Sequence, residues 1–575
     1  QHPVPASHAG HAWRLGSFSW FSRYSSLLRK RSVITVAVDR RAAPTVAAAR
    51  PRWLYLLPLA VILVAQALLS AKLIAGTYAS GDEGRYIYAG HQLIYEIWHG
   101  GGSPYYETYF SGAPVIYPVL AAIADSAGGL VAACLMSTVF MVVATIMLFV
   151  VSRDLFGYWS GILAAGLFAG LGLTQDLGAL ATYDAMSLML ISIAAYCAVR
   201  TGKSLHEPQR DSRGEPTRWL LTIPVLLFLA NATKYMTLIF DPVVIGLAAL
   251  QVSGWKAMVK RITALGLATL TLDSLFLFLA GGAYLHGLMF STLARKSGSS
   301  AVFAAVRVAS PVILADTWTW VGPVIAAALT ALAIAMLARS DAKTIATIGL
   351  LIAAGLIVTV EGLHLHTVES MRKHDDFSAW FACAATGSIA ARLHGRRLMS
   401  RMAPAVIGCA VVASGFHYSQ TARSTYEAGG SQTTLQIASE LRPYLGLPNG
   451  RYLIGGLANQ QLVFIDGLGL HWYQLADDLY LKYPVPGRGG DSHGRVLGPA
   501  CFRLRPGCMY LEGVAGYRAA IHAHWFDLIS MWGGHGIRQD AQIEQAVEHT
   551  PGYVLIAIVA GAPTWIYAPA YRHLT

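Results

Sequence analysis

From Trp53 to about Phe416 the chain repeats one pattern: apolar runs separated by short polar or basic stretches. Eleven runs are predicted as membrane helices, at roughly 53–76, 127–151, 158–174, 185–199, 218–231, 235–251, 258–281, 311–338, 345–363, 377–391 and 403–416. A helix perpendicular to the bilayer needs ~20 residues, and several of these are shorter. The pair 218–231 and 235–251 reads equally as one broken helix or a re-entrant hairpin. Between the first two runs, loop 77–111 contains a predicted amphipathic helix, Gly84 to Trp98. Its Tyr86, Ile87, Ile94, Tyr95 and Trp98 suit a membrane interface, and "GGGS" at 100–103 ends it. Beyond residue 416 the pattern changes. In 417–575, "TTLQIASELRPYL" and "GYRAAIHAHWFDLISMW" read as helices, and "RYLIGG", "QLVFID" and "YVLIAIV" as strands. The predicted fold class is a polytopic α-helical membrane protein of about 11 transmembrane helices with a C-terminal α/β domain.

Composition agrees: only 13% of the 575 residues are charged, against about 25% in soluble domains. The net charge of +12 invites a nucleic-acid reading, but the charges are placed otherwise. Nine Lys and Arg lie between Arg14 and Arg52 against a lone Asp39, a positive-inside signal beside the first run. Alternating the loops from an inside N-terminus puts 24 basic residues inside and seven outside. The expectation is a cell-membrane protein with a cytoplasmic, basic and disordered segment 1–52, a transmembrane domain 53–416 and an extracytoplasmic domain 417–575. No signal-peptide pattern opens the chain. The first Met is Met136, so the printed start is expected to differ from the natural one. Cys134, Cys197, Cys383 and Cys409 fall in apolar runs. Cys501 and Cys508, in "CFRLRPGC", suit a disulfide if that part lies outside the cytosol.

The polar residues that need explaining gather at one set of helix ends. They are Asp82, Glu83 and Arg85 in "SGDEGRYIYAGHQL", Asp184 in "GALATYDAMSLML", Lys234 and Tyr235 in "ATKYM", and Arg372 to Asp376 in "SMRKHDDFSAWF". Ionisable groups near hydrocarbon are expensive and face a cavity or one another. Each also has a plainer reading: Asp184 as a helix N-cap, Lys234 as a snorkelling side chain, "KHDD" as a solvated loop. Carboxylates and cations at one outer face suit an anionic lipid headgroup attacked by a proton-donating acceptor.

"DEGRYIYAGHQL" resembles the DExRY stretch in the first outer loop of the aminoarabinose transferases. These are relatives of the protein O-mannosyltransferases and membrane glycosyltransferases of the GT-C class. "YYETYFSGAPVIYPVL" resembles the aromatic-Phe-x-x-x-Pro stretch that follows there, and "TYDAMSLML" the second outer-loop aspartate. "NATKYMTLIFDP" and "KHDDFSAWFACAATG" are similar to stretches of actinobacterial members. The resemblance runs in order over residues 53–390. It implies a GT-C-like fold, a polyprenyl-phosphate sugar as donor, a glycan, lipid or protein of the cell envelope as acceptor, and inversion at the anomeric carbon. One position departs: where the family has the lysine of "FEKPP" on the donor phosphate, this chain has Gly112 in "FSGAP".

The chemistry needs a base, a cationic phosphate site and exclusion of water. The resemblance assigns the base to Asp82, and burial beside Glu83 is expected to raise its basicity. The resemblance implies that Asp184 orients the acceptor or the base. Arg85, one helical turn on, offers a forked guanidinium to phosphate, and Lys234, Arg372, Lys373 and His374 are further candidates. Asp82, Glu83 and Asp184 could instead hold a divalent cation, Mg or Mn. The rival reading is a flippase of lipid-linked saccharides, for which mid-membrane charge and two related halves are expected. The charges sit at helix ends and no internal repeat is evident. A scaffold displaying the C-terminal domain leaves the "DEGR" cluster unexplained.

Overall fold

A computed structural model describes residues 56–203, 215–292, 308–393, 439–484 and 510–572, with gaps inside these segments; within 439–484, 456–463 and most of the predicted strand "QLVFID" fall outside the described residues. The eleventh predicted run, the N-terminal segment and both Cys501 and Cys508 lie outside the described residues.

The helices follow the apolar runs. They are α1 Leu57–Ile74, α2 Gly81–His99, α3 Tyr117–Phe156 (two helices joined across a kink of non-helical backbone at Gly128 and Gly129), α4 Tyr158–Gly170, α5 Gly172–Leu177, α6 Tyr183–Lys203, α7 Glu215–Thr233, α8 Asp241–Ala249, α9 Trp255–Ala280, α10 Gly282–Met289, α11 Ser310–Trp320, α12 Gly322–Leu337, α13 Ala342–Leu365 and α14 Met371–Leu393. Among the described residues five helices (α1, α3, α6, α9 and α13) are long and apolar enough to cross a membrane, or six if α11 and α12 form one span. Run 311–338, predicted as continuous, bends by 77° between α11 and α12. Pro323 supplies the reason, since it has no N–H to give the preceding turn and disfavours helical backbone just before it. Runs 218–231 and 235–251 appear as α7, an extended Lys234, a 3-10 turn Tyr235–Phe240 and α8.

α14 runs through the core. Trp380 donates its indole N–H to the Ala144 carbonyl of α3 at 3.0 Å, and Phe240 stacks on Phe377 and Phe381 with centroids 5.8 and 5.5 Å apart. By contrast α1 and α9 expose Val61, Val64, Leu68, Leu270 and Phe278. On a chain that crosses a membrane, such faces meet lipid rather than water. α2 packs on α3 and leaves Tyr95, Ile97 and Trp98 exposed. It presses so closely on α3 that a Cβ on Gly90 would fall 1.9 Å from the Pro118 carbonyl oxygen, so only glycine permits the approach.

The C-terminal part holds a five-stranded sheet in the order β2–β1–β5–β7–β6, from β1 Tyr452–Ile454, β2 Leu475–Ala476, β5 Leu528–Ser530, β6 Tyr553–Val559 and β7 Ala562–Tyr567. β2, β1 and β5 run parallel; β7 pairs antiparallel with both β5 and β6. A two-stranded antiparallel ribbon joins β3 Lys482–Pro484 to β4 Tyr510–Glu512. The stretch "GYRAAIHAHWFDLISMW" is not one helix. The helix Gly513–His522 ends, His524 takes a left-handed φ of 50°, and β5 follows. Burial between two neighbouring strands overrides the helical period there, an ambiguity inherent to short apolar runs. Phe464 of this part packs edge-on against Tyr88 and His91 of α2, at 5.4 and 5.2 Å.

Candidate functional site

Four chain segments bring the predicted charges to one end of the bundle: the first turn of α2, the first turn of α6, the turn after α7 and the first turn of α14. The Lys373 ammonium donates to Asp82 Oδ2 at 2.6 Å, a pair 291 residues apart in sequence. Lys234 pairs with Asp184, and both are buried, at 3% and 1% exposure. Lys234 also stands 5.1 Å from the centre of the Tyr183 ring, a cation–π contact in a sheltered place. Tyr86 donates to the Tyr183 hydroxyl at 2.8 Å, which shares a 2.5 Å hydrogen bond with Ser111. Arg372 reaches Asp176 Oδ2 at 2.9 Å and lies 4.7 Å over Trp320. Thr174 donates to Asp376 at 2.8 Å.

The other predicted residues divide. Glu83 is 2% exposed and accepts the Ala181 backbone N–H at 2.6 Å, tying α2 to the entry of α6. It therefore braces the carriers of Asp82 and Asp184. "KHDD" is the first turn of a buried helix rather than a solvated loop, with His374, Asp375 and Asp376 all buried. Arg85 forms no ion pair among the described residues and lies within electrostatic reach of Asp82.

The expected rise in Asp82 basicity is corrected. The Lys373 ammonium beside it outweighs burial, with help from Arg85 and Lys234, and holds its carboxyl down at about 2. Its side chain is 41% exposed and open to an incoming group. The metal alternative does not fit either. Among the described residues no three His, Cys, Asp or Glu side chains stand where they could hold a metal ion. Asp82 faces Lys373, Asp184 faces Lys234, and Glu83 faces a backbone N–H.

Gly112 explains the departure from "FEKPP". Ala113 N–H donates to Ala232 O at 2.7 Å and Tyr235 N–H to Ser111 O at 2.9 Å, so "SGA" and "ATKY" run as a paired strap. A Cβ on Gly112 would fall 1.9 Å from Thr233 O and 3.3 Å from Lys234 Cα. No side chain fits at 112, and the segment filling that space carries Lys234. A network that the sequence reading missed stiffens the turn. Asn231 donates to Asp241 at 2.9 Å and Asp273 at 3.2 Å, and the Thr237 hydroxyl lies 2.8 Å from both Asn231 Oδ1 and the Lys234 carbonyl. The available signal was two aspartates inside apolar runs, costly unless bonded. Asp176, also missed, lies between runs 158–174 and 185–199, at the same set of helix ends as the other charges.

The five or six helices long and apolar enough to cross a membrane, among the described residues, define a multi-pass membrane protein. The fold resembles that of ArnT, an aminoarabinose transferase, from Cupriavidus metallidurans in the crystal structure bound to undecaprenyl phosphate. The TM-score is 0.55 at 12% identity, over 90% of this chain and 98% of that one. The archaeal oligosaccharyltransferase AglB from Archaeoglobus fulgidus, in complex with an inhibitory peptide and a dolichol-phosphate, aligns with a TM-score of 0.44 at 11% identity, over 73% of this chain and 64% of that one. No protein-family model matches the chain, and no curated protein does.

Proposed function

We propose that the chain is a glycosyltransferase that moves a sugar from a polyprenyl-phosphate donor to an acceptor of the cell envelope outside the cytoplasm, with inversion. The observation that carries this reading is the pair of lysine–carboxylate contacts, Asp82–Lys373 and Asp184–Lys234, at one end of an ArnT-like bundle. The acceptor oxygen bonds to the anomeric carbon as the bond from that carbon to the phosphate oxygen breaks. The acceptor proton passes to Asp82, and the electron pair of the broken bond leaves on the polyprenyl phosphate. Arg85 and Lys234 hold that phosphate. Lys373 links the two halves of the reaction. The arriving phosphate competes with Asp82 for its ammonium, and as the ammonium turns to the phosphate Asp82 becomes a stronger base. Burial works against the Lys234 charge, and Asp184 opposes that loss and aims the ammonium.

In this reading segment 1–52 is cytoplasmic, and the α/β part 417–575 stands outside with the site, where the acceptor arrives. A reporter fused after Thr575 that is active only in the cytosol would sink that arrangement. The reaction is tested with purified chain in nanodiscs, labelled polyprenyl-phosphate pentoses and hexoses, and cell-envelope extract as acceptor. Transfer by the wild type and its loss in Asp82→Asn support the proposal. A wild-type chain that neither binds nor consumes any of these donors refutes it.

A further inference from the structure

Beside Lys234 lies a buried polar group that the proposed chemistry does not use. Tyr235 is 5% exposed, and its hydroxyl has no hydrogen-bond partner among the described residues. Buried hydroxyls without partners are rare, because lost hydration goes uncompensated, and each calls for a reason. Its position is not accidental slack: the residue's own N–H is pinned to Ser111 at 2.9 Å within the strap that seats Lys234. The hydroxyl is within electrostatic reach of Tyr284, Tyr183 and Glu107, and Tyr284 within reach of Glu107 and Glu96. α10, which carries Tyr284, packs on the 3-10 turn Tyr106–Thr108 that carries Glu107, and Phe276 holds the Tyr284 ring edge-on at 5.2 Å.

Two phenols and a carboxylate form a set of opposite character to Lys234, with which Tyr235 shares Tyr183 as a neighbour. Two nearby acids, Glu107 and Glu96, disfavour a phosphate. A sugar ring offers what they lack, hydroxyls that donate to a carboxylate and both donate to and accept from a phenol. We propose that Tyr235, Tyr284 and Glu107 form a subsite for the hydroxyls of the donor's sugar. The inference rests on the glycosyltransferase reading: with the phosphate at Lys234, the sugar bonded directly to it must lie against the adjoining residues.

The test compares binding of undecaprenyl phosphate, undecaprenyl phosphomannose and undecaprenyl phosphoarabinose to the full chain in nanodiscs. The wild type should bind at least one sugar-bearing lipid more tightly than the bare one. Tyr235→Phe removes a hydroxyl with no internal partner, so its thermal midpoint should not fall. Its affinity for that sugar-bearing lipid should drop about 3- to 10-fold with the bare lipid unaffected, and Glu107→Gln should cost about 10-fold or more on the same lipid. Equal wild-type affinity for all three lipids, unchanged sugar-lipid binding in both variants, or an equal loss for the bare lipid would each overturn the subsite. Failure of the wild type to bind even bare undecaprenyl phosphate is a separate result, which brings down the glycosyltransferase reading itself.

Discussion

Replacing Gly112 by alanine adds one methyl group at the tightest point of the site. Its Cβ would stand 1.9 Å from the Thr233 carbonyl oxygen, where real contacts do not fall below 3.0 Å, so the two backbones must part by about 1.1 Å. The obstructing atoms are backbone and cannot swing aside as a flexible side chain would. The same shift lengthens the strap hydrogen bonds from 2.7 and 2.9 Å to about 3.8 and 4.0 Å, outside bonding range. At ~0.5–1.5 kcal/mol each, the loss is roughly 1–3 kcal/mol. Lys234 rides on the displaced segment, and misplacing a positioning group by about 1 Å can cost ~10²-fold in rate. Gly266→Ala on α9 is the control, because a Cβ there meets nothing within 4 Å. Thermal midpoints in nanodiscs and initial rates with a labelled donor should separate the two variants. If Gly112→Ala matches Gly266→Ala in both, the strap does not position Lys234 and the account of this glycine is wrong.

Other outcomes follow from the same geometry. Asp82→Asn should lower turnover by roughly 10²–10⁴-fold, the usual worth of a general base, and leave donor affinity unchanged or slightly tighter because Lys373 is released; near wild-type turnover in matched folded protein would remove Asp82 as base. Lys373→Met takes away the cation that holds the Asp82 carboxyl at about 2. That carboxyl must then rise, so the acid limb of kcat/KM, below the range pH 4–8 in the wild type, should enter it from the low end; a profile as flat as the wild type's would refute the pairing. The depressed Asp82 carboxyl also makes a stabilising contribution that is present above the ordinary carboxylate range near ~3.9 and lost as pH falls through about 2, so acid unfolding of Lys373→Met should lose that component. Glu83→Gln retains an acceptor for the Ala181 N–H and should fold normally, whereas Glu83→Ala leaves that N–H orphaned at a cost of about 1–3 kcal/mol, read from thermal midpoints. Arg85→Ala should weaken polyprenyl-phosphate binding and slow turnover together; a change in one alone contradicts its place on the leaving phosphate.

Much of this protein is written locally. A run of apolar residues bounded by polar ones specifies a membrane helix without reference to the rest of the chain, because every backbone polar group must be bonded within the segment. So α1, α3, α6, α9 and α13 were legible from hydrophobicity, and the "DEGR", "TYDAM", "TKY" and "RKHDD" stretches stood out as charge where charge is costly. What sequence could not decide was partnership. Nothing along the chain says that Lys373 neutralises Asp82 across 291 residues, and that contact reverses the expected shift in the carboxyl's basicity. Glu83 reads as half of a carboxylate pair, yet the fold turns it away to a backbone N–H. Gly112 reads as a missing lysine, and only packing shows that the segment bearing Lys234 occupies its space. Secondary structure and membrane preference depend on neighbours in sequence; the state of an ionisable group depends on charges within a few ångströms, which only tertiary packing brings together.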